Sequence, residues 1–244
     1  MTTTHRAALL RSALCLTTGG INYHTICMAH MHSLSCSSSI AKPRPSPTLF
    51  CFPGLTSRPW HDPQQFDWIQ RLEANRDGIQ REFIALRDAR QTTAAHGSQQ
   101  SDYSGRRQAD FAAHCPATVE LLESIPGFLT GLPFAYAFFS VLKPQSSIKA
   151  HSAPCNVRLR CHFPLFVPKG CGMRVGDETR EWQEGKAIVF DDAYDHEVWH
   201  NGSSGDRVLL LFDVWHPDLI KEERESIVAM FESAKEKGWL QDSK

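Results

Sequence analysis

The first 61 residues of this 244-residue chain contain no aspartate or glutamate. They hold Arg6, Arg11, Lys42, Arg44 and Arg58 among many serines, threonines and alanines. An acid-free, serine-rich start reads either as an organellar targeting segment or as a disordered tail. Residues 1–47 are therefore expected to stand apart from the folded body. "AKPRPSP" at 41–47 reads as a linker, because its prolines favour extended chain. The chain also lacks any run of eighteen apolar residues, so no membrane-spanning helix is encoded. It lacks a basic surplus as well. The net charge is -1, which argues against a nucleic-acid partner. The eight cysteines include no CxxC pair, and Cys155, Cys161 and Cys171 fit no zinc spacing. Unpaired thiols suit a soluble intracellular protein, or an organellar one if the acid-free segment directs it there.

What is present is enough to build a core, since 41% of the residues are hydrophobic. Asp62 and Pro63 suit an N-cap and first helical position. Phe66, Ile69, Leu72, Ile79 and Phe83 then recur near helical spacing, which predicts a helix over 63–88. Residues 89–115 are polar and predict a long surface loop, placed to roof a pocket. A short helix is expected over 117–124. From 133 onward the period falls to two. "PFAYAFFSVL", "NVRLRCHFPLFV", "GMRVG", "KAIVFDD", "HEVWH" and "RVLLLFDVWH" read as short strands between turns. Six or more such strands predict a β-sandwich or barrel over 48–220. An amphipathic C-terminal helix is expected within 221–244.

The stretch "DDAYDHEVWHNGSSGDRVLLLFDVWHP" at 191–217 sets acids and histidines inside otherwise apolar strands. Burying such groups is costly unless they are paired or bound to a metal. "HEVWH" and "RVLLLFDVWH" flank a Gly-rich turn and are expected to form an antiparallel hairpin. Alternation puts His196, Val198 and His200 on one face, and Arg207, Leu209, Leu211 and Asp213 on one face of the next strand. In "NVRLRCH", Asn156, Arg158, Arg160 and His162 share one face, and Val157, Leu159, Cys161 and Phe163 the other. A strand with one apolar and one basic face lines something wet and anionic. His151 lies just upstream. Histidines from separate strands can ligate iron or zinc, and nearby arginines grip carboxylates. Each histidine read alone is equally a hydrogen-bonded structural residue, and His200 and His216 are read that way. Asp191 and Asp195 are read as solvated turn residues.

At these residues the chain resembles the aspartyl/asparaginyl β-hydroxylase family of iron(II)- and 2-oxoglutarate-dependent dioxygenases. The matching segments are "FPGLTSRPW", "HSAPCNVRLRCHFPLFVP", "DETREWQEGKAIVFDDAYDHEVWHN" and "RVLLLFDVWHP". The resemblance implies a mainly β fold, a double-stranded β-helix (jelly roll) with flanking helices. It implies that His151 and His196 ligate Fe(II). It implies that Arg207 and Ser140 hold the distal carboxylate of 2-oxoglutarate, with His162 near the other end of that cosubstrate. Arg158 and Arg160 match arginines that contact substrate or cosubstrate carboxylates, and Asp192 an acid close to the metal but not bound to it. Most 2-oxoglutarate oxygenases use His-x-Asp…His. Here Ala153 stands at the carboxylate position, where the resembling family usually has glycine.

The implied reaction consumes dioxygen and 2-oxoglutarate and hydroxylates an unactivated C–H. The implied substrate is an aspartyl or asparaginyl side chain of a protein or peptide, or a small acid. Three alternatives stand beside this. One is a hydroxylase of free or carrier-bound amino acids or lipid acyl chains. Another is a catalytically silent jelly-roll binding module. The third, a zinc hydrolase, needs a third protein ligand and a general base.

Overall fold

The computed structural model describes residues 45–93 and 109–238. The tail expected over 1–47 lies outside them up to residue 44, as does the central part, 94–108, of the loop expected to roof a pocket. Among the described residues, no helix is long and apolar enough to cross a membrane.

The helical layer differs in detail from the single helix expected over 63–88. Asp62 does act as an N-cap, its side chain accepting from the Gln64 N–H at 3.0 Å, but it opens only a 3-10 turn, Pro63–Gln65. Helix α1 (Trp68–Ala74) and helix α2 (Arg76–Thr93) then follow. The break falls at Asn75. Its side-chain amide donates to the Arg71 carbonyl at 2.8 Å and its backbone N–H to the Leu72 carbonyl at 3.1 Å. A short polar side chain that bonds nearby backbone in this way competes with helix continuation. Both helices still present one apolar stripe, Trp68, Ile69 and Leu72 followed by Ile79 and Phe83. Residues 89–93 belong to α2, and helix α3 (Ala109–His114) occupies most of 109–115, so both ends of the expected loop are helical. Helix α4 spans Pro116–Glu123.

Nine strands are found among the described residues: β1 (Trp60–His61), β2 (Ala137–Leu142), β3 (Ser146–His151), β4 (Arg158–Phe166), β5 (Cys171–Val175), β6 (Glu178–Arg180), β7 (Ile188–Phe190), β8 (His196–His200) and β9 (Arg207–Trp215). They form two antiparallel sheets, ordered β1-β7-β4-β9-β2 and β3-β8-β5-β6. From β2 onward the chain changes sheet at every connection except the β5–β6 turn. That alternation is what makes a double-stranded β-helix, the jelly roll implied by the resemblance.

The same alternation corrects the expected β8–β9 hairpin. β8 pairs with β3 and β5, while β9 pairs with β4 and β2. Residues 201–206 therefore carry the chain from one sheet to the other. His200 builds this crossing, one ring nitrogen donating to the Gly205 carbonyl at 2.8 Å and the other accepting from the Gly202 N–H at 3.2 Å. A Cβ at Gly202 would collide with the Lys169 carbonyl oxygen and the His200 ring, so glycine is required there.

Period-two alternation assigns the faces of the large sheet. Leu159, Cys161, Phe163 and Leu165 of β4 and Val208, Leu210, Phe212 and Val214 of β9 pack under α1 and α2. The opposite face looks toward the small sheet, where Leu142, Leu209 and Phe190 meet Met173, Val175 and Val198. Helix α5 (Lys221–Glu236) buries Ile227, Met230 and Phe231 against Phe52, Leu129 and Val157, which ties the C-terminus to the N-terminal edge of the body. Cys155, Cys161 and Cys171 are free thiols in three different core clusters.

Candidate active site

A half-open cavity of about 1390 Å³ lies between the two sheets and runs along α2. Ser140, His151, Arg160, His162, His196 and Arg207 all line it. His151 ends the edge strand β3, just past a register shift, and pairs with His196 at the start of β8. Their ring centroids are 4.2 Å apart. Each Nδ1 meets a backbone carbonyl two residues back, Lys149 at 2.8 Å for His151 and Tyr194 at 2.9 Å for His196. A carbonyl only accepts, so both Nδ1 atoms carry a proton, which leaves Nε2 as the nitrogen of each ring that can bind a metal. Burial lowers His196 to about 4, which keeps the ring neutral. Two imidazoles whose Nδ1 atoms are held by backbone carbonyls are a donor set suited to a divalent transition metal. Among the described residues, no group of three or more His, Cys, Asp or Glu side chains could hold a metal ion. Ala153 is buried, its N–H donating to the Asp192 carbonyl at 2.7 Å.

Facing the histidines is a dense charge network. Arg160 forks onto Asp213, with Nε at 2.8 Å from Oδ1 and Nη2 at 3.0 Å from Oδ2. Arg158 bonds Asp192 at 2.7 Å and Asp213 at 3.0 Å, and also donates to the Phe134 carbonyl. Arg160 reaches Asp192 as well, at 3.3 Å. The two cations and two anions cancel. Burial alone would lower Arg158, and the Asp192 and Asp213 carboxylates reverse this and hold it well above its usual value. Burial alone would raise Asp192, and Arg158 and Arg160 hold it below the usual carboxylate range. Arg158 thus lies behind the cavity with its donors committed, while Arg160 keeps an edge on the cavity. Tyr136 stacks beside both, 5.7 and 6.0 Å from their guanidinium carbons.

Arg207 is different. It is 1% exposed and has no carboxylate partner among the described residues. Its Nη2 donates to Ser140 Oγ at 3.3 Å, and its Nε has no partner. Its guanidinium lies 5.1 Å from the ring centre of Trp182. Burial lowers its pKa to about 10, so it stays charged at neutral pH while poorly solvated. His162, between Phe190 and Trp182, is pushed well below its usual value by burial and then by Arg207. Its Nδ1 is also buried without a partner.

Reading the sequence assigned no role to Asp213, Trp182 or Tyr136. Asp213 was findable, since it lies on the inward face of β9 inside an apolar run, opposite Arg160 in the β4–β9 register. Asp191, expected to be solvated, is 2% exposed and accepts from the Ala193 N–H at 2.9 Å. The expectation failed because the turn after β7 folds inward against the Pro59 carbonyl.

A jelly roll that sets a pair of histidines and a buried arginine on one cavity is a ligand-binding frame. The chain belongs to the aspartyl/asparaginyl β-hydroxylase family, whose sequence model matches residues 73–217. It is 33% identical over 198 residues to the aspartyl/asparaginyl beta-hydroxylase of Homo sapiens, covering 75% of this chain and 26% of that protein. It is 34% identical over 201 residues to aspartate beta-hydroxylase domain-containing protein 1 of Homo sapiens, covering 76% of this chain and 51% of that protein. With aspartate beta-hydroxylase domain-containing protein 2 of Rattus norvegicus the identity is 34% over 215 residues, 81% of this chain and 61% of that protein. The chain therefore spans between about a quarter and three-fifths of the length of these relatives.

Proposed function

We propose that this protein is an Fe(II)- and 2-oxoglutarate-dependent dioxygenase. It hydroxylates an unactivated C–H of an aspartyl or asparaginyl side chain, in a peptide or a small acid. The observation that carries the reading is Arg207, a buried cation without a carboxylate, on the same cavity as two histidines with free Nε2 atoms. A dicarboxylate that reaches a metal with one end and Arg207 with the other satisfies both.

Bound iron, with 2-oxoglutarate and dioxygen, supplies the oxidising chemistry that places oxygen on carbon and releases succinate and carbon dioxide. The chain supplies position and electrostatics. His151 and His196 would hold the metal through Nε2, kept in that tautomer by Lys149 and Tyr194. Arg207 and the Ser140 hydroxyl hold the distal carboxylate, and because Arg207 is itself buried the charge-assisted bond is strong. Neutral His162 lines the same cavity and keeps an unpartnered Nδ1. Asp192 stays with Arg158 and Arg160 and keeps their charge balanced near the metal. Arg160 is the network's one edge on the cavity and the group available to a substrate carboxylate or amide.

The test is succinate release from 2-oxoglutarate in the presence of iron(II) and air, first alone and then with aspartyl- and asparaginyl-containing peptides. Peptide-stimulated succinate with a matching mass gain of one oxygen is expected. Failure to bind iron in titration would instead favour a silent binding module.

A further inference from the structure

The segment at 46–52 lies upstream of the family match, yet it is bonded to both segments that carry the histidines. The Ser46 N–H donates to the Ala193 carbonyl at 2.7 Å, three residues before His196. The Thr48 N–H donates to the Ala153 carbonyl at 3.2 Å, and Leu49 and Phe50 both donate to the Pro154 carbonyl at 2.9 Å. Ser152 Oγ donates to the Ser46 carbonyl at 2.9 Å. Phe50 bridges Cys155 in parallel. Asn156 closes the far end with its side-chain amide, accepting from the Phe52 N–H at 2.6 Å and donating to the Phe52 carbonyl at 2.9 Å. The loop 152–156 is thus held between this strap and the Asp192 carbonyl.

His151 needs such support. It ends an edge strand that pairs with β8 alone, and the register breaks between Ile148 and His151. A metal held by three protein groups fixes each of them through the other two. Here Ala153 offers no ligand atom, so two histidines must be placed by their backbone. We infer that residues 46–52 are a positioning element of the metal site, a strap that fixes the distance between His151 and His196 in place of a third protein ligand. This rests on the reading of the two histidines as metal ligands. It also sets a limit on N-terminal processing: cleavage beyond Ser46 removes part of the site's support.

The experiment is a Co(II) titration of the full chain, read by its d–d absorption, with thermal melting of the metal-free protein in parallel. Thr48→Pro deletes the N–H that meets Ala153, while Thr48→Ala keeps it, and the Thr48 side chain is exposed. We expect Thr48→Pro to lose roughly 10- to 100-fold in Co(II) affinity, the usual effect of disturbing groups that orient a ligand, with an altered d–d spectrum. Thr48→Ala should match the unsubstituted protein. Unchanged affinity and spectrum in Thr48→Pro, whatever its melting temperature, overturn the inference. If Thr48→Pro does not fold, Ser152→Ala decides in the same titration: weaker Co(II) binding supports the strap, and unchanged binding overturns it. A full chain that binds no Co(II) at all overturns the metal-site reading itself, and the strap's role with it.

Discussion

Arg160 and Arg207 lie on adjacent strands of one sheet and line the same cavity, yet the fold treats them oppositely. Arg160, with Arg158 behind it, is balanced by Asp192 and Asp213. Arg207 is left with one hydroxyl and the face of an indole. The histidines divide the same way. His200 spends both ring nitrogens on the crossing between sheets, whereas His151 and His196 each keep one free. On this cavity, polar groups that the protein satisfies for itself are structure, and those left open are available to a ligand. Residue type does not separate the two sets; their partners do.

The largest contrast is expected among the histidines. His151→Ala and His196→Ala should each abolish succinate release, because one remaining ligand cannot fix the metal. His200→Ala should keep turnover and lose stability alone, as a buried turn loses its bonds, at about 1–3 kcal/mol in urea unfolding. Appreciable turnover in His196→Ala would break the division.

Next comes the charge network. Asp213→Ala leaves Arg160 only its 3.3 Å contact with Asp192 and removes one partner of Arg158, so unfolding free energy should fall by about 3–5 kcal/mol, measured by chemical denaturation of the metal-free protein. A loss under 1 kcal/mol would mean that the network is not the structural half of the comparison.

Asp191 gives a pH signature. Burial raises its carboxyl from 3.8 to about 7 in the folded state. Between those values the folded chain keeps a proton that the unfolded chain has released, so this group's contribution to stability declines as pH rises from about 4 to about 7. The decline is on the order of 1 kcal/mol per pH unit within that window. Asp191→Asn should flatten the pH dependence of melting there, and an unchanged profile would mean the carboxylate is ionised in the fold. The smallest effect is expected at Ser140, whose bond to Arg207 is long. Ser140→Ala should weaken 2-oxoglutarate binding by about 1 kcal/mol, roughly fivefold, in a calorimetric titration.

Much of this site was legible in the sequence. Period-two alternation correctly put Arg158, Arg160 and His162 on one face of β4 and Arg207 with Asp213 on one face of β9, because both strands are lined by apolar residues on the other side. β3 was not legible as a strand. Five of its six residues are exposed, so no burial pattern marks it, although it ends in His151. The sheet assignment of β8 and β9 was not legible either. A six-residue Gly-rich turn closes a hairpin or crosses between sheets equally well, and Gly202 packed on His200 and Lys169 settles it only in three dimensions. The charge balance was half visible. Basic residues on β4 announced a polar face, but only the register that sets Arg160 against Asp213 reveals which arginines are already neutralised.

The decisive comparison replaces Arg207 with methionine and measures two things on the same protein: 2-oxoglutarate affinity of the metal-loaded form, and unfolding free energy of the metal-free form. We expect affinity to fall by about 2–5 kcal/mol, the usual loss when one partner of a buried charge pair is truncated. We expect stability to hold or rise, because a buried cation without a counter-charge has been replaced by an apolar chain of similar length. Unchanged 2-oxoglutarate affinity, with stability falling as far as in Asp213→Ala, would place Arg207 among the structural charges and contradict the assignment of this cavity.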